Sequence, residues 1–181
     1  QAAQLSDNFN ILEGTMNLVQ AMYLNNAVEP LNDVRVRQAL CYAIDPQEIM
    51  DFMADGKGSE IGSSMFPSFG KYFMPELNDV YNQDIEKAKE LLTEAGYPDG
   101  KGLPEIRLLT VAIYADMANF IAKQLDEAGI PVQVEVVQKS LLLTMTSSSK
   151  AGFFRGSWIA DYPDAENYLS VFYSKNPAPP N

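Results

Sequence analysis

The sequence predicts an α/β fold: a parallel three-stranded βαβαβ core preceded by an additional strand and helices. Three observations carry this expectation. After Glu105, strand-like runs and helical repeats alternate, the order that builds a parallel sheet with crossover helices. The connections between those runs are short. The last run, Phe153 to Ala160, is dense in apolar and small residues, as in a strand covered on both faces.

The elements follow in chain order. Residues 1–15 are polar and weakly patterned, a poorly ordered lead-in. Met16 to Leu24 reads as a strand. Pro30 to Asp33 is a turn and cap, after which Val36, Ala39, Leu40, Ala43 and Ile44 repeat at helical spacing. Asp45 caps a second helix, with Pro46 in its first position and Glu48 placed to reach back as in a capping box. That helix runs to about Asp55. Gly56 to Gln83 is a long loop whose aromatics, Phe66, Phe69, Tyr72 and Phe73, pin it to the body. Asp84 caps a third helix that Gly96 ends. Ile106 to Val111 is the first core strand. Met117, Ala118, Ile121, Ala122, Leu125 and Ala128 mark the helix after it. Val132, Val134 and Val136 alternate with polar residues, giving the second strand. Residues 140–149 form a weak helix, because Thr144, Thr146 and three serines compete for backbone hydrogen bonds. Phe153 to Ala160 is the third strand. The tail, residues 177–181, reads as linker, so one lobe spans 16–176.

Composition narrows the function. The chain has 181 residues, 46% hydrophobic and 20% charged, enough for one domain with a core. Its 13 Lys and Arg against 24 Asp and Glu give a formal charge of −11. No basic footprint for nucleic acid is present, and an anionic membrane surface would repel the chain. Its apolar runs fall short of the roughly 18–20 residues of a spanning helix. Cys41, the only cysteine, lies on an apolar helix face as a small core residue. There is no His, which removes Ser-His-Asp and Cys-His catalysis and His-ligated metal sites. The chain begins at Gln1 rather than Met, as a processed or excised piece would.

The stretch Phe153 to Tyr173 concentrates the candidate chemistry. Asp161-Tyr162-Pro163-Asp164 breaks the strand, and a helix starts near Pro163 with Ala165, Tyr168, Leu169 and Phe172 on one face. Asp161 thus stands where a strand ends and a helix begins, the edge where α/β sheets bind ligands. It can serve a cationic ligand group or simply cap the helix; the residues alone favour the cap. Asp164 reads as a first-turn residue favoured by the helix dipole.

Motifs for catalysis fail. In Gly56-Lys57-Gly58-Ser59-Glu60-Ile61-Gly62 the third glycine is one place late for a dinucleotide loop, and the segment follows a helix. No nucleophile elbow, Cys pair or calcium loop is found. Asp161 and Asp164 could form a carboxylate pair for hydrolysis, an alternative without further support. No enzymatic activity, cofactor or metal is expected.

Three blocks, PLNDVRVRQALCYAID (30–45), NQDIEKAKELLTEAGYPDG (82–100) and GSWIADYPDAENYLSVFYS (156–174), resemble in order and spacing the extracellular solute-binding proteins of family 5, the peptide and oligopeptide receptors of ABC importers. The resemblance implies a periplasmic-binding-protein-like lobe of class II type, here the central part of a carboxyl-terminal lobe holding half of a ligand cleft. It implies a monomer that binds a peptide ligand, delivers it to a cognate ABC permease, and is periplasmic or a cell-surface lipoprotein. The runner-up is another solute, an oligosaccharide or metal chelate. Residue by residue, Asp161 takes the place of the aspartate that pairs with the ligand's ammonium group, which moves the ligand role ahead of the cap. Trp158 matches a tryptophan lining a side-chain pocket, an assignment weighed equally with a core role. Arg155 matches a basic position that meets the peptide carboxylate in some members, although a solvated or ion-paired structural role is the stronger expectation. Along an extended strand Arg155 and Asp161 would lie about 20 Å apart at roughly 3.3 Å per residue, a span for a peptide of several residues.

Overall fold

The computed structural model describes residues 18–54, 65–162, 164–173 and 175. The lead-in, most of the loop glycines, Pro163 and the tail therefore lie outside the described residues. The elements are β1 (Leu18–Leu24), α1 (Val34–Ala43), α2 (Pro46–Ala54), α3 (Ile85–Glu94), β2 (Ile106–Thr110), α4 (Ala115–Glu127), β3 (Val132–Val136), α5 (Lys139–Ser147), β4 (Phe153–Ile159) and α6 (Ala165–Leu169). Short 3-10 turns occupy Pro67–Tyr72, Pro75–Leu77, Pro98–Gly100, Ala112–Tyr114 and Ser170–Phe172.

The strands form one sheet in the order β1-β4-β2-β3. β2 pairs in parallel with both β3 and β4, and β1 lies antiparallel along β4. The expected parallel core is present, with β1 as the extra strand. Along β2 and β3 the even-numbered residues Ile106, Leu108, Val132 and Val134 join Phe153, Met22 and Leu24 in the main core. The helices α1, α3 and α4 close that face with Val36, Leu40, Leu92, Ile121 and Leu125.

Local chemistry explains the helix boundaries. Asp33 caps α1 by accepting from the Arg35 N–H (2.8 Å), and its carboxyl is held at about 2 chiefly by the hydrogen-bonded Arg35 guanidinium. Asp84 caps α3 by accepting from the Lys87 N–H at 2.9 Å. At α2 the Glu48 N–H donates to Asp45 Oδ1 (3.1 Å), but Glu48 does not reach back to Asp45. Gln124 of α4, 4% exposed, stands in: it accepts from the Asp45 N–H (3.2 Å) and donates to Glu48 Oε2 (2.8 Å). The expected capping box is thus closed from another helix, tying α2 to α4. Cys41 is half-buried, and burial pushes its thiol pKa up.

Two glycine turns meet backbone to backbone. Gly100 and Gly129 both have positive φ, and a Cβ on Gly100 would stand 1.9 Å from the Gly129 carbonyl oxygen. Only a residue without a side chain fits there. Among the described residues, no helix is long and apolar enough to cross a membrane.

The two crossover helices differ. α4 buries Met117, Ala118, Ile121, Gln124 and Leu125. α5 buries no residue fully, and Leu141 and Leu143 are exposed. The weak helical pattern of 140–149 corresponds to a helix that contributes nothing to either buried cluster.

Candidate functional site

β4 organises the candidate site because its neighbours change along its length. All seven of its residues pair with β1, but only Phe153 and Phe154 pair with β2. β2 ends at Thr110, level with Arg155 in this register, so from Gly156 onward the β2-side edge of β4 has no strand beside it among the described residues. The strand was expected to be covered on both faces. One face is covered only at its start, where Phe153 is buried while Ser157 and Ile159 are exposed; the opposite face is still packed at Trp158. A local apolar run cannot report where the elements packed on one face of the strand stop.

Alternation sorts the side chains. Phe154, Gly156 and Trp158 face one way with Val19 and Tyr23; Arg155, Ser157 and Ile159 face the other way with Gln20. On this side Val19 and Trp158 join a satellite cluster with Met65, Ala165 and Tyr168. Phe66 and Phe69 each meet Tyr168 edge-on at 5.4 Å, so these loop aromatics do anchor their segment to the body. Trp158 packs on this cluster, and its indole N–H donates to Asn167 Oδ1 at 2.9 Å. Tyr23 is stacked between Phe154 (5.3 Å) and Phe172 (6.1 Å), and burial raises its phenol pKa. Its ring crowds Gly156, where a Cβ would come within 2.5 Å of Tyr23 Cε2.

On the other face, Arg155 donates from Nη2 to Gln20 Oε1 (2.6 Å) and lays its guanidinium over the Tyr114 ring at 3.6 Å. Its Nε is buried without a hydrogen-bond partner. Among the described residues no carboxylate pairs with it, so the ion-paired form of the expected structural role is absent there, while the side chain remains partly exposed. The partners are neutral: an amide oxygen and a π face. Neither Gln20 nor Tyr114 was legible as a site residue, because both are distant in sequence and carry no local motif.

Asp161 follows the last residues of β4 and is exposed. It does not cap α6. Asp164 does, accepting from the Glu166 N–H at 2.8 Å. This corrects both expectations for the pair: Asp164 is the cap rather than a first-turn residue, and Asp161 has no partner among the described residues. With Asp164 engaged in the cap, a carboxylate pair for hydrolysis loses one of its members. Asp161 and Arg155 thus sit toward the two limits of the open edge, while Trp158 projects from the opposite face to Arg155. Arg155 and Trp158 share β4 and Asp161 follows its end, but the three do not share one wall. Among the described residues, no group of His, Cys, Asp and Glu could hold a metal ion. A separate shallow pocket, bounded by Glu29, Glu105, Arg107 and Lys150, lies by the amino-terminal ends of β2 and β4, away from Asp161.

Residues 1–180 match the family described as bacterial extracellular solute-binding proteins, family 5 Middle. The dipeptide-binding protein of Escherichia coli K12 is 28% identical over 171 residues, covering 92% of this chain and 32% of that protein. Heme-binding protein A of Haemophilus influenzae is 42% identical over 76 residues, covering 42% of this chain and 14% of that protein. Among solved structures, the ABC transporter-associated periplasmic binding protein DppA of Helicobacter pylori, in complex with the peptide STSA, superposes with a TM-score of 0.79 at 27% identity. That superposition covers 93% of this chain and 32% of the other. The chain therefore spans about a third or less of the length of these relatives.

Proposed function

Since the chain belongs to the bacterial extracellular solute-binding proteins of family 5, we propose that it is a lobe of a two-lobe peptide receptor serving an ABC importer. One observation carries the reading: two opposite charges without charged partners, Arg155 and Asp161, bracket an open strand edge. A zwitterionic peptide is complementary to that arrangement. Its ammonium group meets Asp161, its carboxylate lies toward Arg155, and its main chain pairs with the free groups of β4 between them. The ligand then runs antiparallel to β4. Side chains contribute little to this recognition, which suits a receptor for varied sequences.

Trp158 serves as a wall on the opposite face, held in place by Asn167. The chemistry is binding without bond cleavage, so the ligand should be recovered unchanged after incubation. The whole receptor delivers peptide to a membrane permease and works outside the cytoplasm, in the periplasm or as an anchored lipoprotein. It acts as a monomer, since one cleft suffices for one ligand.

A second reading has one specific observation in its favour, the 42% identity to a heme-binding protein over 76 residues. On that reading Arg155 would meet a carboxylate of a metal chelate, and the chelate would supply its own metal ligands.

Calorimetry on the full-length protein separates the two. Tight binding of free-amino peptides, weakened by acetylating the amino terminus, supports the peptide reading. Binding of heme with no response to peptides would sink it. A turnover assay on the same peptides should find them intact.

A further inference from the structure

Arg155 is held in a way that a purely structural arginine does not require. Its guanidinium plane is fixed from two directions, by the Gln20 amide oxygen at 2.6 Å and by the Tyr114 ring at 3.6 Å. Both contacts are neutral, so they orient the cation without cancelling its charge. No carboxylate pairs with it among the described residues, although the chain carries 24 acidic residues against 13 basic ones. Its Nε is buried and unpartnered, which costs stability unless another state satisfies it.

The two holders come from different elements. Gln20 lies on β1, the strand that pairs with β4 beyond the end of β2. Tyr114 closes the 3-10 turn directly after β2. The point where β2 stops is therefore also the point where the guanidinium is gripped. The sheet leaves an opening there and its rim fixes a charge.

We propose that Gln20 and Tyr114 are positioning residues that hold the Arg155 guanidinium in one orientation and leave its charge free for a ligand carboxylate. They do so without touching the ligand themselves. This rests on the reading of Arg155 as a ligand contact. It goes further by assigning the selectivity for a free carboxylate to two residues outside that contact. An acidic residue at position 20 would satisfy Arg155 internally and abolish its use; an amide orients it and leaves the charge available. Ligands with an anionic end are favoured over their neutral amides by the same arrangement.

The test uses full-length protein and alanine peptides of about three to six residues, a length range that includes the span of the open edge. Each peptide is prepared as free acid and as carboxyl-terminal amide, and the readout is the ratio of the two affinities. Gln20→Glu is the sharpest variant because it is isosteric and creates an internal ion pair. It should lower affinity for the free acid by about tenfold or more, with little change for the amide and no fall in melting temperature. Tyr114→Leu should reduce the same ratio by removing the π face, and Tyr114→Phe should restore it. Arg155→Met is the reference that removes the contact itself.

If Arg155→Met collapses the ratio but Gln20→Glu and Tyr114→Leu leave it intact, the positioning role is wrong and the Arg155 contact stands. Equal loss for acid and amide in the two positioning variants also overturns the proposal, since it marks a general packing effect. If Arg155→Met leaves the ratio unchanged, the contact fails and the positioning role with it. Failure of the unsubstituted protein to bind any of the peptides would overturn the peptide reading and this inference together.

Discussion

At its amino-terminal end β4 lies between β1 and β2, and Phe153 there is 1% exposed. Toward its carboxyl end β1 is its one strand neighbour among the described residues, and Ile159 is 58% exposed. The same strand is fold at one end and candidate site at the other. What separates them is the length of β2 rather than any change in the character of β4. Apolar side chains at the first end are stabilised by removal from water. At the second end, backbone and charged groups are left available, and stability is drawn from β1 and the satellite cluster instead.

The largest expected effect is at the closed end. Phe153→Ala should lower unfolding free energy by about 3–5 kcal/mol, through lost burial and the cavity left behind. Ile159→Ala should change it by less than about 0.5 kcal/mol. Urea unfolding of both variants measures the contrast directly, and equal losses would break it.

Asp161→Asn probes the open end. It should lower affinity for free-amino peptides by about 2–5 kcal/mol while leaving unfolding nearly unchanged. Acetylated peptides, which lack the ammonium group, should lose little further. Titration calorimetry with both ligand forms checks this, and equal loss for the two would show that Asp161 does not read the amino terminus.

Gly156→Ala tests the middle of the strand. The added Cβ would stand 2.5 Å from Tyr23 Cε2, so the stacked ring must shift. A cost of about 1–3 kcal/mol follows from overpacking. Full retention of stability in thermal unfolding would show that the ring moves freely and that the boundary between the two ends is soft.

The smallest effect lies away from β4 and serves as its control. Asp33 has a folded pKa of about 2, below its ordinary value of 3.8, chiefly through its hydrogen bond to Arg35. A depressed carboxylate contributes stability above the unfolded pKa and loses it as pH falls through the folded one. Asp33→Asn should therefore be less stable than the parent at pH 7, by no more than about 1 kcal/mol for so exposed a pair. The gap should close as the pH falls from about 4 to 2. Melting temperatures at the two pH limits test it, and peptide affinity should not follow.

Legibility in the sequence follows the range of the interactions. Asp33 and Asp84 were readable as caps because a cap is settled within a few residues. The alternation of Val132 and Val134 and the apolar stripe of α4 were readable because each follows its own packing on the core, although Val136, the last of the alternation, is exposed. The Asp45 cap was half readable: its partner Glu48 is local, but the buried amide that completes it, Gln124, arrives from α4. The grip of Gln20 and Tyr114 on Arg155 was not readable, since it forms only once three segments meet. Asp161 was placed correctly at a strand end, yet the cap assigned to it belongs to Asp164, because three residues decide where so short a helix begins. The openness of β4 was missed for the most general reason: a strand's own sequence does not state how long its neighbour is.

Trp158 has one more consequence. It is the only tryptophan in the chain, and its indole is tied to Asn167 beside the strand whose far edge is open. Indole emission from this segment therefore originates at a single place, one strand thickness from the candidate cleft. Its colour responds to the polarity around that ring, and its intensity to the freedom of the Asn167 bond. The fold has, in effect, installed an optical gauge beside the candidate site, and a ligand bound there should change its emission without any attached dye.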